Sequence, residues 1–239
     1  MPCLDSELKS FIQLQPFIES HGVKMFLPDE EMLEARSKKN LRDICSQSRI
    51  QYPKTVEING YDHMEDFAEK LGYPLFVKGI FYEAIKIKGV TELRKTVDDI
   101  ASRWGFPILL QQDVPGEEFD IAAVGDGTGK VLGVTPMKKM QLTSKGKAWG
   151  GMTLDSDEIL AAVKKIMKAL KWKGPTEIEI MKRKKDGKFF LIEMNPRFPA
   201  WIYLGAGAGC NLPGLILDHL FGKTPNKVVS AHAGVIFLR

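Results

Sequence analysis

The stretch Phe189-Phe190-Leu191-Ile192-Glu193-Met194-Asn195-Pro196-Arg197 is an apolar run that ends in three polar groups. Glu193 and Asn195 are two residues apart, so on a strand they share a face. Phe189 and Leu191 are expected to precede them on that face, with Phe190, Ile192 and Met194 on the other. A strand apolar on both faces is a buried one. A carboxylate at its end is costly unless paired, and a hard cation with oxygen ligands is the natural partner. Pro196 stops the ladder, and Arg197 adds a planar cation beyond it. A second acidic strand, Thr176-Glu177-Ile178-Glu179-Ile180-Met181, lies upstream, joined through Lys182 to Lys188 with a turn signal at Asp186-Gly187. A two-residue turn pairs 185 with 188 and sets Ile180 opposite Glu193. A three-residue loop, 185–187 with Gly187 left-handed, pairs 184 with 188 and sets Glu179 opposite Glu193. Like charges directly opposite are unfavourable without a cation between them, so a metal pair predicts the odd-length loop. The alternative is a plain hairpin with Glu177 and Glu179 solvated.

Ile-Glu-Met-Asn-Pro-Arg, with a carboxylate one hairpin earlier, resembles the metal site of the ATP-grasp enzymes, in particular the branch of the carbamoyl-phosphate synthase large chain and biotin carboxylase. The resemblance implies that Glu179, Glu193 and Asn195 hold Mg²⁺, with Mn²⁺ as the alternative ion, on the phosphates of ATP. It also implies that Arg197 steadies an acceptor carboxylate or its acyl phosphate. Upstream of Pro53-Lys54-Thr55 the family has a phosphate-binding lysine, and Lys38 fits that spacing better than Lys39. Lys78 ends the apolar run Pro74-Leu75-Phe76-Val77, where the family places another phosphate lysine. There the family continues into a glycine-rich cover, whereas this chain has Gly79-Ile80-Phe81-Tyr82-Glu83-Ala84, with one glycine. By the same likeness Gln111, Gln112, Asp113 and Val114 edge the adenine and Glu118 faces the ribose. A glutamine amide can serve there, because reading an amine and a ring nitrogen needs only one acceptor and one donor. Lys138 is a weaker candidate for an anionic intermediate.

Stepping the residues onto elements gives an alternation of helices and strands. Periodic apolar residues mark helices at Leu8 to Ile18, from Lys38, at Met64 to Leu71, at 92–104 capped by Thr91, after Asp155 or Ser156, and at Leu212 to Leu220. Val23 to Leu27, 75–78, 131–137 and Val235 to Leu238 have strand character, and 141–153 is expected to be an irregular, mobile cover. Gly205-Ala206-Gly207-Ala208-Gly209 lacks the preceding strand of a dinucleotide loop, so close packing is the better reading.

The expected fold class is α+β: an ATP-grasp fold with a small α+β lid and an antiparallel-sheet catalytic core, preceded by a truncated α/β segment. The expected divisions are 1–37 as the remnant of a preceding α/β domain, 38–112 as the lid with the helix leading into it, and 113–239 as the catalytic core. By the family likeness, the first elements of the preceding domain are missing, and a homodimer or a partner chain would supply them.

The totals agree with a globular protein. The chain has 239 residues, 44% hydrophobic and 27% charged, enough to bury a core in one or two domains. A net charge of +4 is mild, and no nucleic-acid-binding motif accompanies the lysine clusters, so no nucleic-acid partner is expected. Cys3, Cys45 and Cys210 form neither a zinc pattern nor a CxxC pair, which fits a reducing, cytoplasmic location. Asp5, Glu7 and Lys9 interrupt any leader-like run. The uncharged run 201–217 is broken by glycines, Asn211 and Pro213, so no membrane span is expected. The implied reaction is ADP-forming ligation of a small-molecule carboxylate, or bicarbonate, to an amine or ammonia through an acyl phosphate. The alternatives are an ATP-binding module that needs a partner chain, and a basic nucleic-acid-binding or scaffold protein.

Overall fold

The structure is a computed structural model that describes residues 4–80, 83–142 and 148–238. Its elements run α1 (Asp5–Ser20), α2 (Glu30–Ala35), α3 (Leu41–Ser48), β1 (Thr55–Ile58), α4 (Met64–Leu71), β2 (Leu75–Gly79), β3 (Ala84–Ile87), α5 (Val90–Trp104) and β4 (Ile108–Gln112). They continue through β5 (Gly116–Asp126), β6 (Val131–Leu142), β7 (Ala148–Thr153), α6 (Asp157–Leu170), β8 (Lys173–Arg183), β9 (Phe189–Asn195), α7 (Tyr203–Gly207), α8 (Leu212–Leu220), β10 (Val229–Ser230) and β11 (Ile236–Leu238). Helices and mainly antiparallel sheets make this an α+β protein. Among the described residues no helix is long and apolar enough to cross a membrane.

The chain divides into two units, residues 52–115 and residues 1–51 with 116–239. The smaller unit is a four-stranded antiparallel sheet in the order β1-β4-β2-β3. Alternation sends Ile58, Leu75, Val77, Ile87, Ile108 and Leu110 to one face, where they pack with Met64 and Ala68 of α4 and Leu93, Val97 and Ile100 of α5. The helix expected over 92–104 with Thr91 as its cap starts two residues earlier, at Val90. Its first turn is closed by Glu92, whose carboxylate accepts from the Lys88 N–H at 2.9 Å, rather than by a threonine cap.

The larger unit is built on a sheet in the order β11-β7-β6-β5-β8-β9, with β10 parallel to β6. One face carries Ile121, Ala123, Ile178, Ile180, Leu191 and Met194; these are buried. Helix α6 lies against β6 and α3, and α3 also meets β9. The Ser156 hydroxyl caps α6 by accepting from the Ile159 N–H at 3.3 Å. The opposite face begins with Ala122 and Val124, which pack beneath Trp201, Leu204, Leu212 and Ile216.

Several expectations need correction. The helix after Lys38 belongs with the larger unit and not with the lid, because α3 packs on α6 and β9 while the smaller sheet starts only at Thr55. Residues 1–37 also fall in the larger unit. Residues 23–27 form no strand; Phe26 and Leu27 are buried by side-chain packing alone. The 141–153 segment is not an irregular loop over 148–153, where β7 pairs with β6 and β11; residues 143–147 lie outside the described ones, as do Phe81 and Tyr82 of the loop after Lys78.

Candidate active site

The acidic hairpin of β8 and β9 opposes Glu179 to Glu193 and Glu177 to Asn195, so all four side chains share one face. The route to that register differs from the expected one. The loop runs 184–187, an even length: the Arg183 N–H bonds to Lys188 O and the Gly187 N–H to Arg183 O, each at 2.9 Å, with Gly187 at φ +68°. That pairing sets Lys182 opposite Phe189, Met181 opposite Phe190 and Ile180 opposite Leu191. A bulge at Ile192 then shifts the register by one, bringing Glu193 to Glu179. The same bulge removes Leu191 from the face of Glu193; Leu191 faces with Ile180, and both are buried. The expectation that Phe189 and Leu191 precede Glu193 on its face is therefore incorrect for both, since Phe189 pairs with Lys182 on the face of Ile180. A slip of one residue sends an apolar side chain to the core and a carboxylate to the polar face.

Glu177 is buried and accepts from three donors: Asn195 Nδ2 at 3.2 Å, Arg197 at 3.1 Å and Trp201 Nε1 at 3.2 Å. It is a site residue that the sequence reading left as a solvated alternative, although its two-residue spacing from Glu179 already put the two on one face. Arg197 reaches on to Asp5 at 3.1 Å through its Nε.

Strand β5 completes the face. Asp120 lies opposite Glu179, and Glu118 comes two residues earlier on the same side. Oxygens of Glu118, Asp120 and Glu179 lie within 4.8 Å of one another. Into this trio β6 sends Lys139, bonded to Glu118, 3.0 Å from Asp120 and 3.9 Å from Glu179. The candidate Lys138 instead points to the other face and pairs with exposed Glu117. No local pattern distinguishes the two lysines; strand alternation decides.

The electrostatics follow from burial. Desolvation, with Glu177 and Glu118 nearby, raises the Asp120 carboxyl to about 7 against the pull of Lys139. Burial and then Asp120, Glu193 and Glu177 push Glu179 well above the usual carboxylate range, with Lys139 opposing. Burial disfavours the Lys139 ammonium, yet Glu179, Asp120 and Glu118 together raise it above the ordinary lysine value. Lys139, set against the three carboxylates of Glu118, Asp120 and Glu179, leaves this trio undercompensated. A set of oxygen donors with excess negative charge suits a hard divalent ion. Glu193 stands outside the tight trio and pairs with Lys38 at 3.6 Å, while Lys39 is exposed.

In the smaller unit, Lys78 and Gln111 lie on the sheet face opposite the apolar core, and both are buried. The Lys78 ammonium lies 5.7 Å from the Phe76 ring centroid on that face. Gln111 donates to the Thr55 hydroxyl at 3.0 Å, which leaves its carbonyl as an acceptor. Gln112 pairs with Leu75 and so sends its side chain to the helix-covered face, away from Gln111; its backbone N–H bonds to Lys54 O at 2.8 Å. Asp113 forms an ion pair with Lys86 at 2.7 Å, and Val114 is buried. Gly205 confirms the packing role of the glycine run: a Cβ there would meet Thr135 Oγ1 at 2.6 Å and the Cys210 carbonyl at 2.9 Å.

The family model described as "ATP-grasp in the biosynthetic pathway with Ter operon" matches residues 106–237. The carbamoyl phosphate synthase large chain of Thermoanaerobacter sp. (strain X514) is 24% identical over 226 residues, covering 89% of this chain and 21% of the relative. This chain thus spans about a fifth of that relative's length. Two solved structures share the fold. The biotin carboxylase–β,γ-ATP complex from Campylobacter jejuni has a TM-score of 0.77 at 15% identity, covering 95% of this chain and 55% of that one. The L-amino acid ligase from Bacillus licheniformis has a TM-score of 0.65 at 24% identity, covering 87% of this chain and 54% of that one.

Proposed function

Since the chain belongs to the ATP-grasp superfamily, we propose that it is an ADP-forming ligase that joins a small-molecule carboxylate, or bicarbonate, to an amine or ammonia through an acyl phosphate. The observation that carries this reading is the bulge at Ile192, which brings two carboxylates, Glu179 and Glu193, face to face on adjacent strands beside Asn195. Opposed carboxylates are unfavourable by themselves, and a divalent cation relieves them.

Glu179, Glu193 and Asn195 hold Mg²⁺, or Mn²⁺ in its place. When bound, the ion neutralises charge on the transferring phosphoryl group. Lys38, beside Glu193, binds phosphate oxygens as a compact cation, and Lys78 does the same from the end of β2. Gln111 offers its free carbonyl to the adenine amine, the backbone of Gln112, Asp113 and Val114 lines the ring edge, and Glu118 accepts from the ribose. Arg197, oriented by Glu177, presents its guanidinium to the acceptor carboxylate and to the acyl-phosphate oxygens. Positioning and electrostatic stabilisation provide the catalysis, and no side-chain nucleophile is needed.

The test is a melting curve with Mg·ATP for the wild type and Glu193→Ala. Ligand at about 100 times its Kd stabilises by about 2.7 kcal/mol, or a shift of roughly 5–10 °C for a chain of this size. The wild type is expected to shift and the variant to lose the shift while keeping its own melting temperature. No shift in the wild type would sink the proposal. A shift without ADP release in any mixture of carboxylates and amines would reduce it to a nucleotide-binding module.

A further inference from the structure

The Asp5 carboxylate, in the first turn of α1, is gripped by two arginines from separate elements. Arg197 Nε lies 3.1 Å from Oδ1, and the Arg36 guanidinium lies 3.4 Å from Oδ2. Arg36 ends α2, and Arg197 follows β9, so the pairing is tertiary. All three side chains are partly buried, between 22% and 32% exposed. Two guanidinium groups meeting one carboxylate, one at each oxygen, is the arrangement by which proteins recognise a carboxylate ligand.

The grip is incompletely satisfied. Arg36 Nε and the Ser37 hydroxyl are buried without a hydrogen-bond partner. Such groups cost free energy unless a better-fitting ligand meets them. The arm that brings Asp5 is lightly held. Of the whole of α1 only Leu8 is buried, while Leu4 before it and Leu14 and Phe17 along it are more than half exposed. A helix docked by one buried side chain opens at small cost.

We propose that Arg36 and Arg197 form the binding fork for the acceptor carboxylate, and that Asp5 fills it as an internal stand-in that must withdraw before the acceptor enters. Ser37 offers a further donor to the same ligand. This assignment rests on the proposed ligase reading for the name of its occupant. The fork itself is a property of the three residues and can be measured without nucleotide.

The experiment titrates succinate into the full chain by calorimetry, without ATP or metal. Chloride at matched ionic strength and neutral succinamide serve as controls. Asp5→Ala is expected to bind succinate about tenfold more tightly than the wild type, because it removes a competitor that occupies the site most of the time. Asp5→Asn, the milder change, should move in the same direction. Adding Arg36→Gln to either variant should abolish the gain. An unchanged succinate affinity in both Asp5 variants, or a gain that survives Arg36→Gln, would overturn the proposal. The Mg·ATP melting shift, read in parallel on Asp5→Asn, separates the two ideas. If the wild type and Asp5→Asn both lack the shift while the succinate gain is present, the ligase reading fails and the fork stands. If both show the shift and the succinate gain is absent, the fork fails alone.

Discussion

Glu177 accepts from Asn195, Arg197 and Trp201 at once, so a single buried carboxylate orients an amide, a guanidinium and an indole. Replacing it by glutamine keeps the shape, removes the charge facing Arg197 and turns one acceptor into a donor. Leaving buried donors unmatched costs about 1–3 kcal/mol, so Glu177→Gln should lower the urea midpoint with an unchanged slope. A midpoint equal to the wild type would show that the three contacts are worth little. Cys45 makes a separate prediction at this scale. Burial on α3 raises its thiol to about 12, whereas an unfolded thiol titrates near 8.5. Between those values the native state holds the proton and the unfolded state does not, so this group lowers stability as pH rises above about 8.5. Iodoacetamide at pH 8.5 should therefore alkylate Cys45 slowly in the native protein and quickly in urea.

At the scale of elements, the β8–β9 hairpin departs most from its sequence reading. The alternating residues and the Asp186-Gly187 turn are local, and the hairpin they predict is present. The loop length was not legible, because Arg183 bonds bidentately to Asp186, at 2.8 and 2.6 Å, and closes a wider turn than the dipeptide signal suggests. The bulge at Ile192 then compensates. It satisfies two demands: Leu191 must face the core, and Glu193 must face Glu179. The short helix α7 gives a second test. Gly205 approaches Thr135 and the Cys210 carbonyl too closely for a methyl group, and the carbonyl belongs to backbone that cannot rotate away. Gly205→Ala should destabilise by about 1–3 kcal/mol despite alanine's better helix propensity, as read from urea unfolding. A stabilised variant would mean that α7 shifts freely.

At the scale of the molecule, two units each have their own sheet and core. Native-state hydrogen exchange in rising urea should therefore resolve two sets of protected amides, one including Val77, Ile100 and Leu110, the other Ile121, Ile178 and Leu191. A single opening free energy for all six would show one cooperative body instead.

The sequence by itself determined the local terms. Strand alternation joined Glu193 to Asn195 on one face, apolar periodicity marked most of the helices, and the Ile-Glu-Met-Asn-Pro-Arg string pointed to a fold that comparison bears out. Only the tertiary structure decided which charged groups meet. Asp120 and Lys139 come from successive strands and Glu179 from one much later in the chain, and Asp5 reaches Arg197 across most of its length. Such meetings depend on non-local register, where a shift of one residue reverses a side chain's face. That shift is set by the packing of the entire sheet, to which no short stretch of sequence is sensitive.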